Sequence, residues 1–481
     1  MQHKTISELH EMLASKAITP VELVEESLNL AKKFEFLNCF NLINEEKALT
    51  EAKNAIFDPN NPLSCIPVAH KDLFCTENIQ TTCSSKILEG FKPPYTATVV
   101  ENLENAGCIA IAKTNMDEFA MGSSNETSYF GKVHNPWLKD HVPGGSSGGA
   151  AASVASGVVP FATGTDTGGS IRQPAALCNL TGLKPTYGRI SRWGMIAFAS
   201  SLDQAGPLAH NAKDCAIALD AMTGHDQKDT TSLAMEATKT VDSIDDFSST
   251  KTLGVVKEFS GQLSPEMENA FQESIKTYQN LGYKIKEISL PNIKYSVPTY
   301  YVIAPAECSS NLSRFDGVRF GHRSEEVKNL EELYIKSRSE GFGNEVKRRI
   351  LIGTYVLSAG YYDAYYKKAQ QVRRLITEDF KNAFQECDLI LTPTSPGTTF
   401  AFDSKGSKDP TELYLEDLFT IAANLAGIPA ISIPQTFVNN LPTGHQLIAP
   451  HLNEELILQT AHHFQQDTDW HLKSPSMEDF T

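Results

Sequence analysis

The 481-residue sequence predicts an α/β fold, with one large, mostly parallel mixed central sheet covered by helices on both faces. Three observations carry that prediction. Short apolar runs of strand length alternate with helix-period stretches from end to end. Hydrophobic residues make up 41% of the chain, enough for a sizeable core and too many for wholesale disorder. No internal repeat or low-complexity tract is present, which sets aside solenoids and propellers.

The elements follow in order. Residues 66–69 read as a buried strand that runs into His70 and Lys71, and 108–112 and 158–162 read the same way. Between the last two lies a small-residue helix over 150–156, closed by Gly157. In the second half, 253–256, 389–391 and 430–433 are the apolar runs. Ser264 offers an N-cap before Pro265, and Met267, Phe271, Ile275, Tyr278 and Leu281 repeat at helical spacing until Gly282. Tyr365, Ala369, Val372 and Ile376 mark another long helix. Strands separated by helices argue for parallel pairing. Polar stretches at 224–251 and 403–409 read as loops, and 467–481 as a loose tail.

Charge and cysteine usage narrow the function. Forty-two Lys and Arg against 58 Asp and Glu give a formal charge of −16, which opposes a chain gripping phosphate backbones over its own surface. No run approaches the ~18 apolar residues of a membrane span. Met1-Gln2-His3-Lys4-Thr5 and the polar pattern after it resemble neither a secretion signal nor a transit peptide, so a soluble, cytoplasmic protein is expected. Nine cysteines, odd in number and widely spaced without a C-x-x-C pair, fit reduced thiols. No H-E-x-x-H or similar ligand cluster occurs, and no metal is expected in this chain.

The chemistry concentrates between residues 143 and 172. Pro143 is followed by Gly144-Gly145-Ser146-Ser147-Gly148-Gly149, and the strand at 158–162 by Gly164-Thr165-Asp166-Thr167-Gly168-Gly169-Ser170-Ile171-Arg172. Two glycine and hydroxyl loops thus bracket one helix and one strand, a unit short enough to bring both to one end of a sheet. Glycines there let a backbone approach a ligand and aim successive N–H groups at it. One reading is a phosphate cradle or plain tight turns, but the Gly-Lys-Ser/Thr ending of a P-loop and the dinucleotide fingerprint are both absent. The other is a serine nucleophile whose oxyanion is held by the N–H groups of Thr167, Gly168, Gly169 and Ser170. No histidine has a triad-like spacing and the G-x-S-x-G elbow is missing, which turns attention to Lys71 at a strand end. To act as a base it must lose about three pKa units, roughly 4 kcal/mol, which burial can supply. From the residues alone Lys71 reads as a snorkelling strand-end lysine rather than a base.

These loops, with Ile171-Arg172-Gln173-Pro174-Ala175 and Gly182-Leu183-Lys184-Pro185-Thr186-Tyr187-Gly188-Arg189, resemble the core of the amidase signature family. Lys71 lies 99 residues before Ser170 and Ser146 lies 24 before it, similar to that family's separations. The resemblance implies a single amidase domain over 1–481: a helical segment to about 60, a catalytic core over about 61–210, and a remainder that completes the sheet and the substrate pocket. It implies a Ser-cisSer-Lys triad with Ser170 as nucleophile, Ser146 as bridging serine and Lys71 as base, and an oxyanion hole at Thr167, Gly168 and Gly169. Cys65 and His445 depart from the pattern, standing where a glycine and an apolar residue are usual.

Within the family, several runs are similar to those of the glutaminase subunits of tRNA-dependent amidotransferases. They include Lys113-Thr114-Asn115-Met116-Asp117-Glu118-Phe119-Ala120-Met121-Gly122, Phe342-Gly343-Asn344-Glu345-Val346-Lys347-Arg348-Arg349 and Ser358-Ala359-Gly360-Tyr361-Tyr362-Asp363. That likeness implies hydrolysis of glutamine through an acyl-enzyme, with ammonia passed on to amidate glutamate, or aspartate, carried on tRNA. Arg349 (or Arg348 in its place) would clamp the glutamine carboxylate, Asp417 its ammonium, and Tyr300 would line the pocket. The implied partners are a B subunit that uses ATP and Mg and receives the mischarged tRNA, and a small C subunit. A stand-alone amidase, a silent scaffold and a nucleotide-binding protein are the competing readings.

Overall fold

Eleven strands form one mixed sheet in the computed structural model, which describes residues 2–247, 251–406, 409, 411–477 and 480. In chain order they are β1 (Phe40–Ile43), β2 (Pro67–Lys71), β3 (Ile109–Thr114), β4 (Phe161–Asp166), β5 (Thr181–Lys184), β6 (Gln204–Ala209), β7 (Thr252–Val256), β8 (Lys284–Ile288), β9 (Leu389–Pro393), β10 (Ala430–Val438) and β11 (Leu441–Ile448). Their order across the sheet is β1-β3-β2-β4-β6-β5-β10-β11-β9-β7-β8. β2, β3, β4, β5, β6 and β9 are buried along their whole length. Helices cover both faces, so such strands read as unbroken apolar runs. At one edge β8 is mostly exposed and carries Lys284, Lys286 and Glu287, charges that discourage pairing with another chain.

The α/β class agrees with the sequence, and the strand directions refine it. Parallel ladders form two wings, β3-β2-β4 and β9-β7-β8. Between and beside them the ladders are antiparallel, which makes six of the ten. "Mostly parallel" therefore describes the wings and not the middle. The physical reason is local. β10 and β11 form a hairpin whose turn residues Asn439 and Asn440 have φ of 52° and 62°, the left-handed geometry a tight hairpin needs. β5 and β6 are short and carry Gly182, Gly206 and Pro207, which hide them from an apolar-run reading.

The third run, expected as a strand over 158–162, begins as strand only at Phe161. The N–H groups of Val158 and Val159 bond Ser153 O at 3.0 and 3.4 Å, extending the turn that ends the preceding helix, Gly148–Ala155. The helix expected after Ser264 spans Pro265–Asn280, with the Ser264 hydroxyl accepting from Met267 N and Gly282 at φ 91° beyond it. The one marked by Tyr365 opens as a π turn, Asp363–Lys367, before Lys368–Ala383.

Residues 248–250 of the polar stretch 224–251 lie outside the described residues, as do 407 and 408 of the second loop and 478, 479 and 481 of the tail. Within 224–247 Asp226 accepts from Thr98 and Ser191, both at 2.6 Å, tying this stretch to the body of the fold. All nine cysteines are free and buried. Among the described residues no helix is long and apolar enough to cross a membrane.

Two features aim chemistry at one place. Lys71 is the last residue of β2, and β2 is the neighbour of β4. Helix Gly148–Ala155 precedes β4 and returns antiparallel to it, bringing the 144–147 loop to the end of β4 where Thr165 and Asp166 lie. The two loops touch there: Ser147 Oγ donates to Thr165 O at 3.2 Å and accepts from Thr165 N at 3.3 Å.

Candidate active site

Lys71 is fully buried, and its Nζ donates to three hydroxyls: Ser146 at 2.7 Å, Ser147 at 2.8 Å and Thr165 at 2.9 Å. Those partners sit 75, 76 and 94 residues away in sequence, so the fold alone assembles them. A buried amine without a paired carboxylate favours its neutral form. Burial lowers the Lys71 pKa from 10.5 to about 7, against the opposite pull of the Asp117, Asp166 and Asp203 carboxylates. The snorkelling alternative is thereby excluded, because a snorkelling head would lie in water. His70, one residue earlier, bonds Thr163 at 3.1 Å instead, and burial holds it neutral with a pKa near 3.

Ser146 follows a cis Gly145–Ser146 peptide and is fully buried, and its carbonyl accepts from Asp117 N at 3.2 Å. Ser170 is 8% exposed, so of Lys71, Ser146 and Ser170 it is the one open to an incoming molecule. Lys71 and Ser146 thus lie fully inside, and Ser170 stands nearer the surface.

The loop around Ser170 is held from beneath. Ile171 N and Arg172 N both donate to Asp166 Oδ2, at 3.3 and 3.4 Å. Among the described residues, the N–H groups of Thr167, Gly168, Gly169 and Ser170 donate to none, so they stand open to an incoming acceptor. Arg172 is fully buried and spends every N–H: on Asp166 at 2.9 and 3.0 Å, Asn424 at 2.6 Å, Gln446 at 2.9 Å and Thr420 O at 3.0 Å. Burial pushes the Asp166 carboxyl up, but the Arg172 guanidinium overrides it and holds it at about 2. Thr167 Oγ1 donates to Asp203 at 2.8 Å, anchoring the loop's other end.

Gly168 and Gly169 let two walls close in. A Cβ on Gly168 would lie 2.9 Å from the Tyr300 ring, and one on Gly169, at φ 142°, would lie 2.3 Å from Thr420 Oγ1. Thr420 Oγ1 donates to Gly168 O at 2.6 Å and to Asp417 O at 3.2 Å, so Asp417 stands one turn from the loop. Tyr300 packs on Tyr301, which stacks on Tyr414, and the Arg349 guanidinium lies 5.3 Å from the Tyr301 ring and 5.5 Å from that of Phe198. Tyr300, Arg349 and Asp417 are thus gathered round the same loop.

The alternatives for the cation also separate. Arg349 is 3% exposed and gives Nε to Glu345 at 2.8 Å, while its terminal nitrogens donate to no other described residue. Arg348 has a 43% exposed side chain and binds Glu345 from outside. A buried guanidinium with a free fork suits a carboxylate. Asp417 accepts from Ser123 Oγ at 2.8 Å; burial raises its pKa to about 7, so an arriving ammonium would complete its ionisation.

Ser147, Thr165, Asp166 and Arg172 carry much of this geometry and were not singled out as site residues by sequence. Alternation along β4, which sets Thr163 and Thr165 on one side, is the sequence signal that marks Thr165. The two departures find their reasons here as well. Cys65 has φ 64°, the left-handed conformation in which glycine is usual. His445 is buried and neutral, bonded to Tyr278 OH at 3.0 Å.

Comparison with known proteins gives the family. The Amidase family model matches residues 22–458. The chain is 54% identical over 487 residues to the A subunit of glutamyl-tRNA(Gln) amidotransferase from Alcanivorax borkumensis, covering 99% of each. The crystal structure of the corresponding A subunit of the Thermotoga maritima glutamyl-tRNA(Gln) amidotransferase superimposes with a TM-score of 0.82 at 40% identity, over 97% of this chain and 95% of that one. The peptide amidase of Stenotrophomonas maltophilia gives 0.83 at 25% identity, over 99% of both. A pocket built from one lysine and a ladder of hydroxyls, on a sheet and sequence shared from end to end with these proteins, makes this chain a member of the amidase family.

Proposed function

We propose that this chain is the glutaminase subunit of a cytoplasmic glutamyl-tRNA(Gln) amidotransferase. The observation that carries the reading is the fully buried Lys71, its pKa lowered to about 7, donating to Ser146 at 2.7 Å, with the more open Ser170 in the neighbouring glycine loop. Similarity along 99% of the chain to subunits of that name supports the choice of substrate.

In this mechanism glutamine enters with its carboxylate on Arg349 and its ammonium on Asp417, beside Tyr300. Ser170 Oγ attacks the side-chain amide carbon as its proton passes through Ser146 to Lys71. The tetrahedral oxyanion is met by N–H groups of the Thr167 to Ser170 turn, each such donor worth about 3 kcal/mol. The proton then goes to the leaving nitrogen, the C–N bond breaks, and ammonia departs, leaving a glutamyl ester on Ser170. Water, deprotonated through the same relay, attacks the ester and frees glutamate and the serine hydroxyl. The ammonia serves a B subunit that activates glutamate, or aspartate, on tRNA with ATP and Mg, and a small C subunit completes the assembly. A net charge of −16 is in keeping with tRNA contacts resting mainly on that partner.

The test is amidation of mischarged tRNA by the chain co-expressed with its companion subunits. Ser170→Ala is expected to abolish amidation with glutamine while leaving amidation with free ammonia intact. Normal glutamine use by that variant would contradict the assignment. Full amide hydrolysis by the chain alone would favour the stand-alone amidase.

A further inference from the structure

The run Asn115-Met116-Asp117-Glu118-Phe119 follows β3 and has no part in the mechanism above, yet it grips both halves of the pocket. Asp117 N donates to Ser146 O at 3.2 Å. Glu118 N donates to Thr127 Oγ1 at 3.0 Å, and that hydroxyl donates to Asp117 Oδ1 at 2.8 Å, locking the dipeptide. The Glu118 side chain points the other way. It is 2% exposed, and both its oxygens accept from Gly343 N, at 3.1 and 2.8 Å.

Gly343 is the N-cap of the helix Asn344–Leu357, and as glycine it has no side chain with which to cap that end. From another part of the chain Glu118 accepts the N–H of that N-cap residue, the contact a capping-box carboxylate makes, and although burial raises its pKa to about 7 its ionised form also suits the helix dipole. Ser85 Oγ donates to Glu118 and, at 3.3 Å, to Gly341 O, holding the approach to the helix from the opposite side. The fit is close: a Cβ on Gly343 would lie 2.3 Å from Glu118 Oε2. Six residues along the same helix, roughly 9 Å at 1.5 Å per residue, stands Arg349.

We infer that Glu118 is a positioning residue for the substrate: by fixing the start of this helix against the segment that holds Ser146, it sets the reach from the nucleophile loop to the Arg349 fork and thereby selects amides bearing a free carboxylate. The inference rests on the reading of Arg349 as the carboxylate clamp.

Glutaminase kinetics of the full chain with its companion subunits test it, using Glu118→Gln, Gly343→Ala, Arg349→Gln and the double variant Glu118→Gln/Arg349→Gln. Each of the first two variants is expected to raise KM for glutamine roughly three- to tenfold with kcat within about twofold. In the Arg349→Gln background, Glu118→Gln is expected to change kcat/KM no further, because its effect passes through that arginine. A fall in kcat at constant KM, or an undiminished effect in the Arg349→Gln background, would overturn the positioning role. If Arg349→Gln weakens glutamine binding while Glu118→Gln and Gly343→Ala do not, the clamp stands and the positioning role falls. If Arg349→Gln leaves KM unchanged, the clamp is wrong and this inference goes with it.

Discussion

Replacing Lys71 with arginine separates a base from a mere hydrogen-bond donor. Arginine keeps the charge and the N–H groups that could serve Ser146, Ser147 and Thr165, but its pKa above 12 prevents it from giving up a proton. Burial brings Lys71 from 10.5 to about 7, a shift worth roughly 5 kcal/mol in favour of the neutral amine. At pH 7 about half of the protein is then ready to accept a proton, against roughly one molecule in three thousand for an ordinary lysine. A positioned general base contributes about 10²- to 10⁴-fold, so Lys71→Arg is expected to lower kcat/KM by about a thousandfold near neutrality. The assay is ammonia release from glutamine between about pH 5 and pH 9. The sign follows from the active forms: the neutral Lys71 amine and the ionised Asp417 carboxylate are both needed, so wild-type kcat/KM rises at least about tenfold per pH unit below about 7 and levels off above it. An arginine variant within about tenfold of wild type, or a flat wild-type profile across that range, would refute the base assignment.

Two further outcomes follow from the loop that carries Ser170. Arg172→Met leaves Asp166 buried without its partner and is expected to cost roughly 3–5 kcal/mol of stability in denaturant unfolding. In the wild type the Asp166 carboxyl is held low, so its contribution is present above the ordinary carboxylate range near pH 4 and fades as pH falls through about 2; the variant should lose that dependence. Gly169→Ala puts a methyl group 2.3 Å from Thr420 Oγ1 on a backbone with φ 142°, displacing the N–H groups offered to the oxyanion. A loss of roughly a hundredfold in kcat is expected from stopped-time glutaminase assays, the scale of losing one such donor.

How much of this was readable in the sequence depended on whether the reason for a residue was local. β2, β3, β7 and β9 stood out because each contains a short apolar run covered by the layers around the sheet. β8 did not, since an exposed edge carries charges, and β6 was masked by Gly206 and Pro207. Lys71 drew notice because a charge at the end of an apolar strand needs an explanation, but its hydroxyl partners come from loops 75 to 94 residues away. Arg348 and Arg349 are adjacent and chemically equal on paper. Only the rotation of their helix buries one beneath Tyr301 and Phe198 and leaves the other in solvent. Glu118 shows the same limit more sharply: its partner Gly343 lies 225 residues on and lends only a backbone N–H, which no side-chain pattern records.

The claim on which the mechanism turns is the charge of one amine, and nitrogen-labelled lysine NMR reads it directly. Lys184 is also buried with a pKa lowered to about 7, so the Lys71→Arg spectrum is needed to assign the signal. The mechanism predicts that the Lys71 amine loses its proton near pH 7 in the glutamine-free protein. A Lys71 signal that remains that of an ammonium up to about pH 9 would contradict it.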